Sequence, residues 1–415
     1  MASARRLGPL SRTPRTDPIY FLMNNVDGKG GIARTVGNLA SELAQRHRVE
    51  IISLYRRQQR PTYPLDPRVT VRYLIDARSG KSVRGEGRIP MTGPAWLRRL
   101  DRYDTRLAPT SNEPLMSAMT AWLLLRALRS LEPGVLVSTR PTMTSIAGRF
   151  APRRVLTVGQ DHLNIHERLQ HPELMKVILN GASRLDCFAL LTEADAVDYR
   201  ERLRGVDTLV TAMPNALPWP VRTPSPLTEK IVISGGRLVE QKGFDLLIHA
   251  YAQVARARPD WQLHIYGSGA LRPALRRQIT ELGLDEQVQL KGHTENFDAV
   301  LATASVYAMS SRYEGFGMVL IEAMSRGLPL VSFDCPRGPG EIISSGSNGL
   351  LVPPEDTDAL GKALLTVIED DELRAQMGKA SHTDAHRYEV ETIALRWDSL
   401  FEELLQRRQG SVPAA

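Results

Sequence analysis

Short apolar runs alternate with stretches of helical periodicity along this chain. Such alternation is typical of parallel β-sheets whose strands are joined by helices lying on both faces of the sheet. The strands predicted in the first half are 19–23, 49–55, 69–75, 135–138, 155–159 and 187–191, with helices over about 31–46 and 114–131. The pattern therefore predicts an α/β fold.

A proline-rich stretch, 214–228 (PNALPWPVRTPSPLT), separates this series from a second one. Proline forbids regular structure and stiffens a linker. The second series predicts strands at 231–234, 261–266, 288–290, 306–309 and 330–333, and helices at 244–257, 271–282, 318–326 and about 385–409.

A chain of 415 residues is too long for a single core. We predict two Rossmann-like, doubly wound parallel-sheet domains, at 18–215 and 229–384, that face a central cleft. A linker at 216–228 joins them, and a helix and tail follow at 385–415. Ligands of such sheets bind beyond the carboxyl ends of the strands.

Two segments fall outside the alternating pattern. Residues 1–17 contain arginines but no apolar stretch of the kind that secretory signals have, and we expect a short disordered leader. Residues 76–113 are rich in arginine, interrupted by glycine and proline, and predicted to be a surface insertion. Because loops of this length are usually functional or mobile, the insertion is of interest in its own right.

The lengths of the apolar runs and the two cysteines indicate the cellular compartment of the protein. No apolar run reaches about 18 residues, so no transmembrane helix is expected. The two cysteines, Cys187 and Cys335, lie in apolar runs and are predicted to be buried thiols in a reducing environment. We therefore expect a cytoplasmic protein. No His or Cys cluster has metal-ligand spacing, so no metal site is expected.

Charge is unevenly distributed. Residues 1–220 contain 33 Lys and Arg against 20 Asp and Glu, a balance of +13, whereas the remainder has a balance of −6. A basic first half suggests an anionic partner, although arginines scattered over a solvated surface would give the same composition. Aromatic residues make up only 6% of the chain and nothing resembles a nucleic-acid-binding module, so nucleic acid is not an expected partner.

The segment Glu314–Glu322 (EGFGMVLIE) carries the most specific chemistry. Gly315 and Gly317 open a loop between a predicted strand and a predicted helix, where backbone N–H groups can approach a ligand. Glu314 lies on the loop and Glu322 about one turn into the helix, so two acceptor groups flank the loop. This arrangement suits a ligand with phosphates and many hydroxyls, such as a nucleotide sugar.

Two cations follow the first strand of the second domain, in the sequence Gly235-Gly236-Arg237 and, five residues later, Lys242. Both are predicted to project from a loop at the carboxyl end of a strand. Two fixed cations there can neutralise a pyrophosphate and stabilise it as a leaving group. The alternative is a pair of solvated surface side chains, and the neighbouring glycines favour the functional interpretation.

Two further strand-end turns contain Gly267 and the sequence Gly292-His293-Thr294. Backbone can approach a ligand at the first, and the second can supply contacts to a nucleobase. Each is a weak signal alone. Because these turns end neighbouring strands of one sheet, we expect them to converge on one edge.

Other interpretations stay open at this point. Gly28-x-Gly30-x-x-Ala33 is a loose dinucleotide fingerprint, and Arg56 and Arg57 would suit an NADP-dependent oxidoreductase. A non-catalytic protein that binds a sugar or nucleotide is a third class. His162 ends a predicted strand and could hydrogen-bond a sugar hydroxyl, or be a structural histidine.

Taken together, these residues resemble the retaining family-4 glycosyltransferases of GT-B fold, over nearly the whole chain. Glu314 and Glu322 have the E-x7-E spacing of that family, and Arg237 and Lys242 match its paired basic residues. The remaining matches are the double glycine Gly30-Gly31, His162 in the first domain and the run 348–352.

The resemblance implies a role for each site residue. Arg237 and Lys242 would hold the diphosphate, Glu322 the ribose hydroxyls, and Glu314 the hydroxyls of the donor sugar. The catalytic set would be Arg237, Lys242, Glu314 and His162. The residues implied in donor binding are Gly30, Gly31, Gly236, Gly267, Thr294, Phe316, Gly317, Met318 and Glu322.

The resemblance also implies the reaction. It is transfer of a hexose or N-acetylhexosamine from a UDP-sugar to a hydroxyl, with retention at the anomeric carbon and without metal or other cofactor. The helix in 385–415 would cross back to the first domain. The run 334–343 (DCPRGPGEII) is similar to a branch that acts on teichoic-acid polymers and lipid-linked oligosaccharides. An anionic or membrane-associated acceptor at the inner face of the plasma membrane is then expected, with a small natural product as the alternative.

Overall fold

Thirteen strands and fourteen α-helices alternate along residues 18–78 and 116–410, the part of the chain that this computed structural model describes. The strands are β1 (Ile19–Met23), β2 (Val49–Arg56), β3 (Thr70–Asp76), β4 (Gly134–Ser138), β5 (Val155–Gln160), β6 (Cys187–Leu190), β7 (Leu209–Ala212), β8 (Ile231–Gly235), β9 (Gln262–Tyr266), β10 (Val288–Gly292), β11 (Val306–Met309), β12 (Leu330–Phe333) and β13 (Gly349–Val352).

The helices connect these strands and follow them at the C-terminus. They are α1 (Gly31–Leu43), α2 (Ala118–Arg129), α3 (Pro141–Phe150), α4 (Ile165–Leu169), α5 (Pro172–Ala182), α6 (Glu193–Arg202), α7 (Phe244–Ala257), α8 (Arg272–Glu281), α9 (Phe297–Leu301), α10 (Met318–Met324), α11 (Pro339–Ile342), α12 (Thr357–Glu369), α13 (Asp371–Ala385) and α14 (Val390–Gly410).

The first sheet has seven strands in the order β3-β2-β1-β4-β5-β6-β7. Strand β1 is buried at every position and pairs in parallel with β2 on one side and β4 on the other. Its continuous apolar sequence fits a strand covered on both faces. Helix α1 buries Val36, Leu39, Ala40 and Leu43, whose spacing gives the helix one apolar face.

The second sheet has six parallel strands in the order β10-β9-β8-β11-β12-β13. From β8 the chain adds β9 and β10 on one side of the sheet, and from β11 it adds β12 and β13 on the other side. These two neighbours therefore form a topological switch point, where the loops leaving adjacent strands diverge to opposite faces and open a crevice. Ligands bind at this position in open α/β sheets.

Packing divides the chain into two compact units. The first contains the described residues up to Gln160, together with Lys176–Cys187 and the C-terminal residues from Ser399. The second contains Asp161–Met175 and Phe188–Asp398. The whole second sheet lies in the second unit, with a core that includes Tyr251, Tyr307 and Phe333.

The fold class predicted from the sequence is confirmed, and so are most of the strands, whereas several element ends differ. Helix α10 stops at Met324 instead of 326, and α1 stops at Leu43 instead of 46. The predicted tail helix at about 385–409 corresponds to α14, which begins only at Val390, because α13 ends at Ala385 and a 3-10 turn at His386–Tyr388 lies between them. The strands β7 and β13 were not predicted; unlike the equally short but fully buried β6, β11 and β12, they are mostly half-buried.

The predicted leader at 1–17 and all of the 76–113 insertion beyond residue 78 lie outside the described residues. The domain boundaries stay predictions.

Candidate functional site

The candidate site lies at the switch point of the second sheet. Two loops leave the carboxyl ends of its central strands: 236–243 follows β8, and 310–317 follows β11. Because β8 and β11 are hydrogen-bonded neighbours, the loops begin side by side. The sequence predicted functional residues in both loops, and the fold brings the loops together.

Hydrogen bonds tie the two loops to each other. The Ser310 hydroxyl donates to the carbonyl of Lys242 at 3.0 Å, and the N–H of Arg312 donates to the carbonyl of Gln241 at 2.8 Å. Gly243 has φ +57°, and a Cβ there would lie 2.0 Å from the carbonyl oxygen of Ser310. Only glycine fits this position, which allows the loops to approach at backbone distance.

Lys242 and Glu314 form the centre of the site. Nζ of Lys242 lies 2.5 Å from Oε1 of Glu314, and the Ser311 hydroxyl donates to the same oxygen at 2.6 Å. The side chains of Lys242 and Glu314 are only 15% and 8% exposed. The structure therefore places an ammonium and a carboxylate, predicted separately, in one largely buried cluster.

The backbone of Glu314 is also held on both sides. Its N–H donates to the carbonyl of Pro336 at 2.8 Å, and its carbonyl accepts from Nδ2 of Asn164 at 2.5 Å. Asn164 is buried, and its Oδ1 accepts the N–H of Glu167 as the N-cap of α4. These bonds connect the loop after β11 to the segment that contains His162.

His162 lies beside the glycine that follows Glu314. A Cβ on Gly315 would be 2.7 Å from the carbonyl oxygen of His162, so a side chain at 315 would force the two segments apart. The structure therefore brings the predicted histidine next to the predicted glutamate loop. His162 itself is half-buried.

Glu322 lies on α10 and is buried. Burial strongly raises the pKa of Tyr307 beneath the site, and the charges of Glu322 and Glu314 raise it further. The negative charges of both glutamates therefore raise the pKa of the same buried tyrosine.

Phe316 packs its ring against Tyr388 at 5.8 Å between centroids, so only the backbone of Phe316 is left for a ligand.

Gly317 and Met318 follow Phe316 directly. Gly317 is the N-cap of α10, with φ +94°, and Met318 is the first residue of the helix and half-buried. The predicted backbone donors at 316–318 thus occupy one turn next to Glu314.

Arg237 is exposed, and in the described ranges its side chain makes no hydrogen bond or salt bridge, although its carbonyl accepts the N–H of Val239 at 2.8 Å. Its charge lowers the pKa of Tyr313, a phenol whose pKa is raised overall, first by burial and then by Glu167. The positive charge of Arg237 therefore acts on Tyr313, the residue that precedes Glu314 in its loop. An exposed cation at this position is available to a bound anion.

The weaker glycine turns are also at this edge. The N–H of Gly236 donates to the carbonyl of Tyr266 at 2.9 Å, and the N–H of Gly267 donates to that of Gly292 at 2.8 Å. Thr294 follows and accepts the N–H of Asn296 through its hydroxyl at 3.2 Å. The turns after β8, β9 and β10 thus form a continuous edge.

Cys335 is a buried thiol beside the charged pair. Burial, with the nearby charge of Glu314, raises the pKa of Cys335 to about 12, against a smaller opposing effect of Lys242. Cys187 is also buried, and burial raises its pKa strongly. Both cysteines are free thiols, as the sequence predicted.

Gly30 and Gly31 belong to the first compact unit, where Gly30 is the N-cap of α1. A Cβ on either would meet no atom of the described chain within 4 Å.

Arg56, which an NADP site would need, stacks 5.1 Å from the ring of Tyr73 and donates to the carbonyl of Gln59.

Within 18–78 and 116–410, no three His, Cys, Asp or Glu side chains are grouped so that they could hold a metal ion. Over the same ranges, none of the helices combines the length and apolar character needed to cross a membrane.

Sequence reasoning missed Ser311 and Asn164. Two serines directly after a buried strand, three residues before Glu314, were a signal for the first, because polar residues at the carboxyl end of a strand face the ligand crevice. No local signal indicated Asn164, because its bond to Glu314 spans 150 positions.

Comparison with known proteins identifies the second half of the chain. Residues 218–384 match the family described as Glycosyl transferases group 1. An exopolysaccharide phosphotransferase of Streptomyces coelicolor is 34% identical over 94% of this chain and 41% of its own length. A poly(ribitol-phosphate) α-N-acetylglucosaminyltransferase of Staphylococcus aureus is 30% identical over 59% of this chain and 50% of its own length. The chain thus spans about half the length of these curated relatives.

A solved structure confirms the architecture. A mutant of S. aureus TarM, crystallised with fondaparinux, α-GlcNAc-glycerol and UDP, superposes with a TM-score of 0.72 at 16% identity, over 93% of this chain and 99% of that one. Residues 218–384 are a glycosyl transferases group 1 domain, and the chain has the GT-B fold.

Proposed function

We propose that the chain transfers a hexose or N-acetylhexosamine from a UDP-sugar to a hydroxyl acceptor, with retention and without a metal ion. The observation that carries this proposal is the Lys242–Glu314 pair at the switch point of the second sheet, inside the segment that matches the family. A cation for the diphosphate and a carboxylate for sugar hydroxyls are the two groups that binding a nucleotide sugar requires.

The phosphates would bind to Lys242 and Arg237. The ammonium of Lys242 has three N–H donors, and one of them is directed at Glu314, which leaves two for phosphate oxygens. Arg237 is exposed and adds a guanidinium that can bind two phosphate oxygens at once. Two cations at the diphosphate perform the charge neutralisation that other enzymes assign to a divalent ion.

The rest of the donor would bind along the same edge. Glu322 would accept hydrogen bonds from the ribose, and the backbone at Phe316, Gly317 and Met318 would donate to the phosphates or sugar. The turns at Gly236, Gly267 and Thr294 would contact the nucleobase, and Glu314 with His162 would contact the sugar hydroxyls.

In the proposed step, the bond between the anomeric carbon and the β-phosphate oxygen breaks, and a bond from the acceptor oxygen to that carbon forms on the same face. The acceptor proton passes to the departing phosphate oxygen, and UDP leaves with its charge balanced by Lys242 and Arg237. Retention is supported by the name of the α-N-acetylglucosaminyltransferase relative, because UDP-N-acetylglucosamine is itself an α-glycoside.

We further propose an acceptor from the cell envelope, most simply an anionic polymer handled at the inner face of the plasma membrane. The relatives named above act on a poly(ribitol phosphate) and an exopolysaccharide. The balance of +13 in residues 1–220 suits an anionic acceptor.

Phosphotransfer is a second candidate, because a relative named as an exopolysaccharide phosphotransferase matches 94% of this chain. Transfer of a sugar phosphate from the same donor would break the bond between the two phosphates and release UMP. Glycosyl transfer releases UDP, so the nucleotide product separates the two reactions.

Isothermal titration calorimetry with UDP and with NADP tests the donor assignment. We expect UDP to bind and NADP not to bind. Binding of NADP with no binding of UDP would replace the proposal by the oxidoreductase alternative. Binding of UDP without turnover of any UDP-sugar would leave a nucleotide-binding protein.

A further inference from the structure

We infer that Ser311 is a positioning residue for the sugar-transfer reaction. Together with Lys242 it fixes one carboxylate oxygen of Glu314 and leaves the other for the donor sugar. This inference rests on the proposed function and deepens it. It concerns a residue that is not among the site residues predicted from the sequence.

The hydrogen bonds of Glu314 are distributed unevenly over its atoms. The N–H donates to Pro336 and the carbonyl accepts from Asn164. Oε1 accepts from both Ser311 and Lys242, at 2.6 Å and 2.5 Å. Within the described chain, Oε2 accepts no hydrogen bond, so it is the only hydrogen-bonding atom of this residue that the protein leaves for a ligand.

Two donors on one oxygen fix the plane of the carboxylate. A single bond from Lys242 would leave the group able to rotate, because the lysine side chain has four flexible torsions. The Ser311 hydroxyl is attached by one short torsion to a buried residue two positions after the end of β11. Its bond to the carboxylate is charge-assisted, and such bonds are short and strong.

Ser310, in the same loop, makes the corresponding contact to the loop 236–243. Its hydroxyl holds the carbonyl of Lys242, so consecutive serines anchor the cation and the carboxylate of one pair. The contact between Lys242 and Glu314 depends on the two loops staying together. Ser311 is therefore expected to determine where Oε2 points, which affects the sugar and not the nucleotide.

The test compares Ser311→Ala with Ser311→Thr, which keeps the hydroxyl. Ser332→Ala is the matched control, because Ser332 is equally buried, lies on the adjacent strand β12 and loses one hydrogen bond, to the carbonyl of Phe333. The probes are UDP, UDP-N-acetylglucosamine and UDP-glucose. Binding is measured by calorimetry, and turnover by UDP release with poly(ribitol phosphate) as acceptor.

We expect Ser311→Ala to lower kcat about tenfold, the effect of losing one hydrogen bond to a charged group. The Kd for UDP should stay within about twofold of wild type, because UDP lacks the donor sugar that Oε2 would contact. Ser311→Thr should recover most of the activity, and Ser332→Ala should change thermal stability without changing kcat.

A double-mutant cycle with Glu314→Gln shows whether Ser311 acts through the carboxylate. If it does, Ser311→Ala changes kcat by less than about twofold in the Glu314→Gln background. Additive effects would overturn the inference, and so would wild-type kcat in Ser311→Ala or equal losses of UDP and UDP-sugar affinity. A wild-type chain that neither binds nor turns over a UDP-sugar would instead reject the proposed function, and this inference with it.

Discussion

Nζ of Lys242 lies 2.5 Å from Oε1 of Glu314, although 72 positions separate the two residues in the sequence. The contact exists because β8 and β11 are neighbours in the sheet and because Gly243 lets the following loops approach at backbone distance. Opposite charges with little exposure stay paired in the absence of a ligand. Binding of a diphosphate would place a second anion next to Lys242, within reach of the two ammonium donors that Glu314 does not use.

Removing either cation should slow the reaction without unfolding the protein. We expect Lys242→Ala and Arg237→Ala each to lower kcat by roughly a hundredfold or more, because one donor to a developing negative charge is typically worth that much. Arg237→Ala should leave thermal stability unchanged, since the side chain is exposed.

Lys230→Ala and Arg277→Ala are matched controls in the same compact unit. Lys230 forms an exposed salt bridge with Asp260, and Arg277 is exposed on α8. Both controls should keep wild-type kcat. If the two site variants also kept it, the diphosphate would have to bind elsewhere.

The double glycine offers a test that separates stability from activity. Gly30 has φ −79°, and added methyl groups at Gly30 and Gly31 would meet no described atom within 4 Å. We therefore expect Gly30→Ala and Gly31→Ala to keep the wild-type melting temperature. If substrate approaches this backbone, they should lower kcat/KM for the UDP-sugar severalfold, which steady-state kinetics would measure.

Gly410→Ala is the control for these substitutions, because Gly410 also has open space around its missing Cβ. Unchanged kcat/KM in both site variants would remove Gly30 and Gly31 from the donor site.

The buried thiol of Cys335 predicts how the free energy of unfolding changes with pH. The raised pKa of Cys335, about 12, means that the native thiol stays protonated at pH 8, so a thiol-specific reagent should label it only after denaturation. An unfolded thiol ionises near pH 8.5. Between about pH 8.5 and 12 the unfolded state therefore releases a proton that the native state keeps, and the free energy of unfolding should decrease as pH rises.

Unfolding titrations at several pH values would measure this slope. Cys335→Ala should make it shallower whatever the substitution does to stability at pH 7. Rapid labelling of the native protein at pH 8 would contradict the burial of the thiol.

The proposed chemistry also predicts how the enzyme responds to chelation. Initial rates measured with excess EDTA should match those without it, because Arg237 and Lys242 carry the positive charge at the diphosphate. Dialysis against EDTA followed by addition of Mg²⁺ or Mn²⁺ provides the control. Activity that disappears on chelation and returns with the metal would show that the two cations are insufficient.

Much of this structure could be predicted from the sequence, for physical reasons that differ between its parts. The strands β1 and β11 are continuous apolar runs and β8 begins with one, as buried parallel strands require, and Gly235-Gly236 and Gly315 marked the loops that follow β8 and β11. Ends of helices such as α1 and α10 were less predictable, because helical periodicity continues past the residue at which the tertiary structure ends the helix.

The contacts within the site could not be derived from the chain alone. The hydrogen bond from Asn164 to Glu314 spans 150 positions, and no local pattern records which distant segment fills a given space. The sequence identified Lys242 and Glu314 as separate candidates from their loops. Lys242 and Ser311 bond to the same carboxylate oxygen of Glu314 because of the order of the strands in the sheet, which no local pattern reveals.

The most direct test of the central claim is the identity of the nucleotide that the reaction releases. The purified chain is incubated with poly(ribitol phosphate) and either UDP-N-acetylglucosamine or UDP-glucose, and the nucleotide and polymer are analysed by mass spectrometry. Glycosyl transfer predicts UDP and a polymer that gains the mass of one sugar per turnover, with both signals lost in Lys242→Ala. Release of UMP with a polymer that gains a sugar phosphate would contradict the account and make the chain a phosphotransferase.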